Sequence, residues 1–125
     1  MASKLLLLAL AGAAGTVTRF GISAAVNHFF PSPFPPGTLI VNTAGCFLAG
    51  FFWMLFEMRW MHAAESRTIL FVGFMGAFTT FSAVMMENSE LLRSAAWMPA
   101  ALHLSLHNLL GIVAVFTGAA LGRLV

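Results

Sequence analysis

The sequence has very few charged side chains for its length. Of its 125 residues, 8% are Asp, Glu, Lys or Arg, whereas about a quarter of the residues in an ordinary soluble protein are charged. It has no tyrosine and a single cysteine, Cys46, so an intrachain disulfide is excluded. Because hydrophobic residues make up 60% of the chain, a soluble domain of this composition would have an apolar surface. The composition therefore predicts an integral membrane protein.

Basic residues are also few, and they are scattered. Six Lys and Arg against four Asp and Glu give a net charge of +2, without a basic run, so nucleic-acid binding has no support. The sequence contains no Ser-His-Asp arrangement, phosphate-binding loop or metal signature. We therefore expect a protein that is not an enzyme.

Long uncharged stretches indicate the membrane spans. Residues 20–56, 68–86 and 94–122 contain no Asp, Glu, Lys or Arg. A membrane-crossing helix needs about 20 residues, and the proline cluster from Pro31 to Pro36 divides the first stretch in two. We predict one four-helix transmembrane domain over residues 1–125. Its predicted helices are residues 4–29, 37–58, 68–91 and 97–123.

The start of the first helix is also typical of a signal peptide. Lys4 precedes the apolar run of residues 5–10. The apolar stretch continues to Phe30, however, and is interrupted mainly by Arg19. This length favours an uncleaved first helix.

The basic residues specify the orientation of the chain only weakly. With four helices, one side of the membrane carries four basic residues and the other side carries Arg93. The four are Lys4, Arg59, Arg67 and Arg123. This bias favours termini inside the cell, while a dual-topology protein that inserts both ways remains an alternative.

Polar side chains within the spans are the candidates for function, because they are costly in lipid. Arg19 either reaches the far interface or places a positive charge at an anion path or a dimer contact. Asn42, in the second helix, can donate to an anion or bond to a neighbouring helix. A small cation exporter is expected to carry a carboxylate in its first helix, where this chain has Arg19. The arginine favours anions.

The third predicted helix contains an unusual segment, residues 73–82. It combines Gly73 and Gly76 with the adjacent pair Thr79 and Thr80. These residues favour a helix break in mid-membrane, and a broken helix offers carbonyls and amides that coordinate ions. An intact helix is the alternative, because Thr can return its hydroxyl to the preceding turn.

Two histidines stand out in the fourth helix. His103 and His107 lie four residues apart on one face, beside Asn108. This spacing suits a metal or haem ligand pair, or hydrogen bonds between helices. Glu87 is the only carboxylate close to the threonine pair. A haem-binding redox membrane anchor is therefore one alternative function, and a small multidrug-type exporter is another.

Taken in order, the motifs of this chain resemble those of the Fluc (CrcB) family of small bacterial fluoride channels. The motifs are Gly15-x-x-x-Arg19, Pro36-Gly37-Thr38-Leu39-x-Val41-Asn42, Gly73-Phe74-x-Gly76-x-x-Thr79-Thr80-Phe81-Ser82 followed by Glu87, and Asn108-Leu109-Leu110-Gly111. They span all four predicted helices. The chain departs from the family pattern at four positions, which are Ala83, Val84, Met85 and Ile112.

The resemblance implies an antiparallel, dual-topology homodimer in the bacterial inner membrane. The third helix would be broken mid-membrane, and two pores along the subunit interface would let fluoride leave the cell passively. The pore-lining residues would be Asn42, Thr80, Phe81, Ser82 and Asn108. Arg19 would lie at the mouth of the anion path or at the dimer interface. Backbone carbonyls of Gly76 and Thr79 would hold a structural Na⁺.

Overall fold

The computed structural model describes residues 1–32, 34, 36–58 and 64–125, and the regular secondary structure of these residues is helical. The elements in chain order are α1 (Ala2–Phe29), α2 (Pro36–Met58), α3 (Ala64–Thr68), a π-helical segment (Ile69–Met75), α4 (Gly76–Phe78), α5 (Phe81–Arg93) and α6 (Trp97–Leu124). Pro33 and Pro35 of the proline cluster, and the basic residue Arg59, lie outside the described residues.

Four helical segments of the described chain are long and apolar enough to cross a membrane. They are Ala2–Phe29, Pro36–Met58, Ala64–Arg93 and Trp97–Leu124. The shortest has 23 residues, which at 1.5 Å per residue gives about 35 Å, against about 30 Å of hydrocarbon. The prediction of an all-helical protein with four spans is confirmed, and the protein is a multi-pass membrane protein.

The most extensive helix–helix contact joins α2 and α6. Gly50 on α2 faces the carbonyl oxygen of Val115, and Gly118 on α6 faces that of Phe47. A Cβ atom at either glycine would overlap the facing oxygen. Helices in lipid are held by such close packing, because the hydrophobic effect does not drive them together. The α2–α6 pair is therefore the main helix–helix contact of the domain.

Helix α1 packs against the π-helical segment, α4 and α2. Its buried residue is Gly15, where a Cβ would collide with the carbonyl oxygen of Phe74. Most other side chains of α1 are exposed, including Leu5, Leu6 and Phe20. This apolar surface is stable in a membrane, where it faces lipid tails that are also apolar.

A tight turn makes α5 and α6 neighbours. After α5 the Ala96 amide donates to the Leu91 carbonyl (2.9 Å), and the Ala95 amide donates to the Leu92 carbonyl (3.1 Å). This pattern is a Schellman motif, which usually places glycine in the left-handed region. Here Ala95 takes that place with φ of 57°. The turn returns the chain beside α5 and sets which residues of the two helices lie at equal depth.

Candidate functional site

Two threonines between α4 and α5 have extended backbone. α4 ends at Phe78, Thr79 has φ −87° and ψ 152°, Thr80 has φ −148° and ψ 114°, and α5 begins at Phe81. In a continuous helix each amide donates to the carbonyl four residues earlier. The amides and carbonyls of extended residues inside a membrane span need other partners, because an unpaired backbone group is costly in lipid.

Asn42 on α2 supplies partners for both backbone groups of Thr80. Its Oδ1 accepts from the Thr80 amide at 2.8 Å, and its Nδ2 donates to the Thr80 carbonyl at 3.1 Å. A carboxamide presents a donor and an acceptor side by side, as a peptide group does. Asn42 therefore holds the extended backbone of Thr80 against α2.

The extended backbone of the two threonines also leaves two carbonyls without the amide donors that a continuous helix would give them. In a continuous helix the Thr80 amide would serve the Gly76 carbonyl, but it donates to Asn42. The Ala83 amide would serve the Thr79 carbonyl, but it donates to Thr80 Oγ1 at 3.3 Å, which makes Thr80 the N-cap of α5. The carbonyls that have lost these donors belong to the two residues for which the sequence predicts a role in binding Na⁺.

Arg19 contacts the chain just before the extended threonines. Its Nε donates to the Ala77 carbonyl at 3.2 Å. Gly15, one turn earlier on α1, allows this approach, because a Cβ there would lie 3.1 Å from the Phe78 amide nitrogen and closer still to the Phe74 oxygen. A guanidinium beside the last carbonyls of a helix is electrostatically favourable. Arg19 thus stabilises the C-terminal end of α4.

Most of the predicted site residues line one groove, which has a volume of about 470 Å³. They are Asn42, Gly76, Thr79, Thr80, Phe81 and Asn108. The side chain of Phe81 is 75% exposed in the isolated chain. Ser82 adjoins the groove through its hydroxyl, which lies 3.2 Å from that of Thr80. Arg19 is not among the lining residues.

The four positions that depart from the family pattern are divided between this groove and its surroundings. Val84 and Met85 line the groove, and the side chain of Val84 is buried. Ala83 borders a separate cavity near Glu87, and Ile112 is exposed on α6. Two of these four positions therefore contribute apolar side chains to the groove.

A polar cluster joins three helices and includes His103, for which a hydrogen bond between helices was one of the predicted roles. The Thr38 hydroxyl donates to Glu87 Oε1, and His103 Nε2 lies 3.2 Å from Glu87 Oε2. The His103 side chain has no exposed surface, whereas that of Glu87 is 24% exposed. A partly buried carboxyl with partners on both oxygens costs far less than an unpaired one.

One feature of the sequence could have predicted this cluster: Glu87 and His103 lie equally far from the turn between α5 and α6. Glu87 lies six residues before the end of α5, and His103 lies six residues after the start of α6. In an antiparallel hairpin these positions face each other, about 9 Å from the turn at 1.5 Å per residue. The contact follows once a tight turn is placed after Arg93.

The two histidines lie together on α6. Their ring centroids are 4.5 Å apart, and His103 is paired with Glu87. Within the part of the chain that the structure describes, no group of three His, Cys, Asp or Glu side chains is placed to hold a metal ion. The haem-anchor alternative gains no support from this arrangement.

The fold and the groove define a class of protein: an all-helical, multi-pass membrane protein whose polar groups converge on a backbone interruption, as in ion-transport proteins. The chain belongs to the CrcB-like protein, Camphor Resistance (CrcB) family, whose model matches residues 6–119. The resemblance inferred from the motifs is confirmed.

Curated relatives that match the chain over its full length have a more specific name. A protein of Desulforapulum autotrophicum named "Fluoride-specific ion channel FluC" is 50% identical over 125 residues, covering 100% of both chains. Proteins with that name from Nitrosococcus oceani and Solidesulfovibrio magneticus are 46% and 43% identical, again over the full length of each chain. These names are those of a channel, and they give no support to a haem anchor or a multidrug exporter.

Proposed function

We propose that this chain is a fluoride-selective channel through which fluoride leaves the bacterial cell passively across the inner membrane. The observation that carries the proposal is the groove in which Asn42, Thr80 and Phe81 meet. The names of full-length relatives with 43–50% identity support the choice of ion.

The chemistry of the groove suits a small, strongly hydrated anion. Such an ion needs hydrogen-bond donors and the positive edges of aromatic rings in place of its water. The Asn42 amide has two N–H groups, and its bond to the Thr80 carbonyl uses one of them. The second N–H and the exposed ring of Phe81 offer these two kinds of contact. The Thr80 hydroxyl adds a donor at the same place.

Liposomes that contain the protein should release fluoride and retain chloride. A site built from a few fixed donors favours the smaller anion, because the larger one cannot approach all of them at once. Ion-selective electrodes would record both anions after dilution into ion-free buffer, with protein-free liposomes as the control. Equal release of fluoride and chloride would exclude a fluoride-selective channel.

We infer that two antiparallel copies of the chain form the working unit. The groove is open along one side, and Phe81 is largely exposed, so one copy does not enclose a pathway. A second copy placed against this face would cover both. The weak bias of basic residues permits either insertion direction, and a closed two-fold dimer is the commonest assembly of identical chains.

Labels at both termini should be found on both faces of the membrane. Cysteine introduced near Met1 and near Val125, in a Cys46→Ala background, would be exposed to an impermeant thiol reagent in sealed vesicles. About half of each label should react from outside if both orientations insert equally. Complete protection, or complete reaction, would contradict the antiparallel arrangement.

We further propose that Na⁺ binds at the extended threonines through the carbonyls of Gly76 and Thr79. Carbonyl oxygens are hard ligands suited to such a cation, and the amides that would serve these two carbonyls in a continuous helix donate elsewhere. A bound cation would supply positive charge near the groove without a carboxylate. The residues present therefore fit the ion.

Na⁺ should raise the thermal midpoint of the purified protein, because a ligand that binds the folded form stabilises it. Replacing Na⁺ with the bulky cation choline provides the comparison. Thr79→Ser should keep the effect, since the proposed ligand is backbone and the hydroxyl can still donate to the Met75 carbonyl as in the native chain. Equal midpoints in Na⁺ and choline would rule out the site.

A further inference from the structure

Arg67 is stacked against Trp53 near one end of the membrane spans. Its Cζ atom lies 3.9 Å from the centroid of the Trp53 ring, which is a cation–π contact between the start of the third span and the end of the second. The Trp53 ring also makes an edge-to-face contact with Phe71, and the two ring centroids are 5.9 Å apart. Phe71, four residues after Arg67, therefore helps to hold the ring against the guanidinium.

The guanidinium of Arg67 has N–H groups to offer to an anion. Within the ranges 1–32, 34, 36–58 and 64–125, no oxygen atom accepts a hydrogen bond from these groups or forms an ion pair with them. Glu65 is two residues earlier, and residues two apart on a helix do not face each other. The five N–H groups lie at the edge of the guanidinium, so contact with the face of the Trp53 ring does not consume them.

The position of this pair in the spans places it at the level of the lipid headgroups. The segment Ala64–Arg93 has 30 residues, whereas about 20 residues cross the hydrocarbon, so its first residues extend into the interface. Arg67 is the fourth residue of this segment, and Trp53 lies five residues before the end of α2. Tryptophan is enriched at this level, and Trp53 is 48% exposed. The anions at this level of a membrane are the phosphates of the lipid.

We propose that Arg67, held against Trp53, binds the phosphate of an anionic phospholipid such as phosphatidylglycerol. A guanidinium donates two parallel hydrogen bonds to two phosphate oxygens, and such charge-assisted pairs are strong. Contact with a fixed ring restricts the arginine side chain before the lipid arrives, so less conformational entropy is lost on binding. Neither Arg67 nor Trp53 lines the groove, so this site is separate from the path proposed for fluoride.

The surface deeper in the membrane suits the acyl chains of the same lipid. Val72, about one turn further along the segment than Arg67, is 66% exposed. Free phosphate has no apolar part that would contact this surface, which favours a lipid as the occupant. A lipid with a net negative charge is attracted more strongly than phosphatidylcholine, because the ammonium group of phosphatidylcholine offsets the charge of its phosphate.

Lipid binding by the purified protein would test this site. The protein in detergent would be titrated with phosphatidylglycerol and, separately, with phosphatidylcholine, and native mass spectrometry would count the bound lipids. Arg67→Gln should weaken the binding of phosphatidylglycerol about tenfold, because it removes hydrogen bonds to a charged group. Trp53→Leu should weaken it about threefold, because the charge remains but the cation–π contact is lost. Trp53→Phe keeps a ring and should bind nearly as the native protein does.

Arg123→Gln is the matched control for the loss of charge. Arg123 is an exposed arginine at the same end of the spans, and its guanidinium contacts no aromatic ring among the described residues. Its loss should change the affinity by no more than about twofold in 0.15 M salt, where exposed charges are screened. Circular dichroism would verify that each variant is folded. Arg67→Lys, which keeps the charge but lacks the planar pair of donors, is the second variant if Arg67→Gln does not fold.

The pattern across the variants decides whether the site exists. Weaker binding by Arg67→Gln and Trp53→Leu, with Arg123→Gln close to the native protein, would support it. Unchanged binding by Arg67→Gln, or an equal loss in Arg67→Gln and Arg123→Gln, would overturn it, because the lipid would then respond only to net charge. Displacement of phosphatidylglycerol by inorganic phosphate would overturn the choice of a lipid. None of these results depends on whether the protein transports fluoride.

Discussion

Replacing Gly118 with alanine should destabilise the protein by about 2–3 kcal/mol, the upper range for overpacking. The added Cβ would overlap the Phe47 carbonyl oxygen and lie 3.0 Å from the Phe51 amide nitrogen. Both atoms belong to the backbone of α2, so no side-chain rotation can relieve the overlap. The helices must separate, and dispersion contacts along the α2–α6 contact are lost.

Gly21→Ala is the matched control for this substitution. A Cβ at Gly21 on α1 meets nothing within 4 Å, so the change in stability should stay within about 0.5 kcal/mol. Titration with a denaturing detergent, followed by circular dichroism, would measure both variants. Equal stability of Gly118→Ala and the native protein would show that α2 and α6 are not held by this close approach.

Replacing Asn42 with alanine should reduce fluoride release by about tenfold or more. The variant removes the bonds to the Thr80 amide and carbonyl. Each backbone group left unpaired costs about 1–3 kcal/mol, and 1.4 kcal/mol corresponds to a tenfold change in the population of the working geometry. The variant also removes the N–H group that we propose for the anion.

Two further variants make the Asn42 result specific. Asn42→Asp keeps an acceptor for the Thr80 amide but loses the donor and adds a negative charge to the groove, so release should be as low or lower. Thr68→Val removes a hydroxyl that bonds to the Ala64 carbonyl within the same turn, and release should match the native protein. Native release by Asn42→Ala would contradict the role of this residue.

The classes of residue in the sequence were sufficient to predict the membrane spans. Charges are nearly absent over stretches long enough to cross lipid, and lipid requires each span to satisfy its own backbone as a helix. The family could also be recognised, because the motifs of all four helices occur in the expected order. Asn42, Thr80 and Phe81 were candidates for the same reason.

The hydrogen-bond partners of these residues could not be predicted from the sequence. A single Asn in a span can serve as an anion ligand or can bond to another helix. The packing of α2 against the threonines directs both polar atoms of the Asn42 amide to the backbone of Thr80. Arg19 was expected to reach the far interface or to lie near an anion path or a dimer contact. Its bond to the Ala77 carbonyl depends on the close approach of α1 at Gly15.

The sequence by itself determined that the chain forms four apolar helices, because lipid requires each span to pair its own backbone groups. It also identified the few polar residues in these spans as candidates for function, because such residues are costly in lipid. Only the tertiary structure decided which polar groups meet. The hairpin after Arg93 places His103 against Glu87, and the packing of α2 places the amide of Asn42 against the backbone of Thr80. Hydrogen bonds act over about 3 Å, so they depend on the register and distance between helices, which periodicity and composition do not specify.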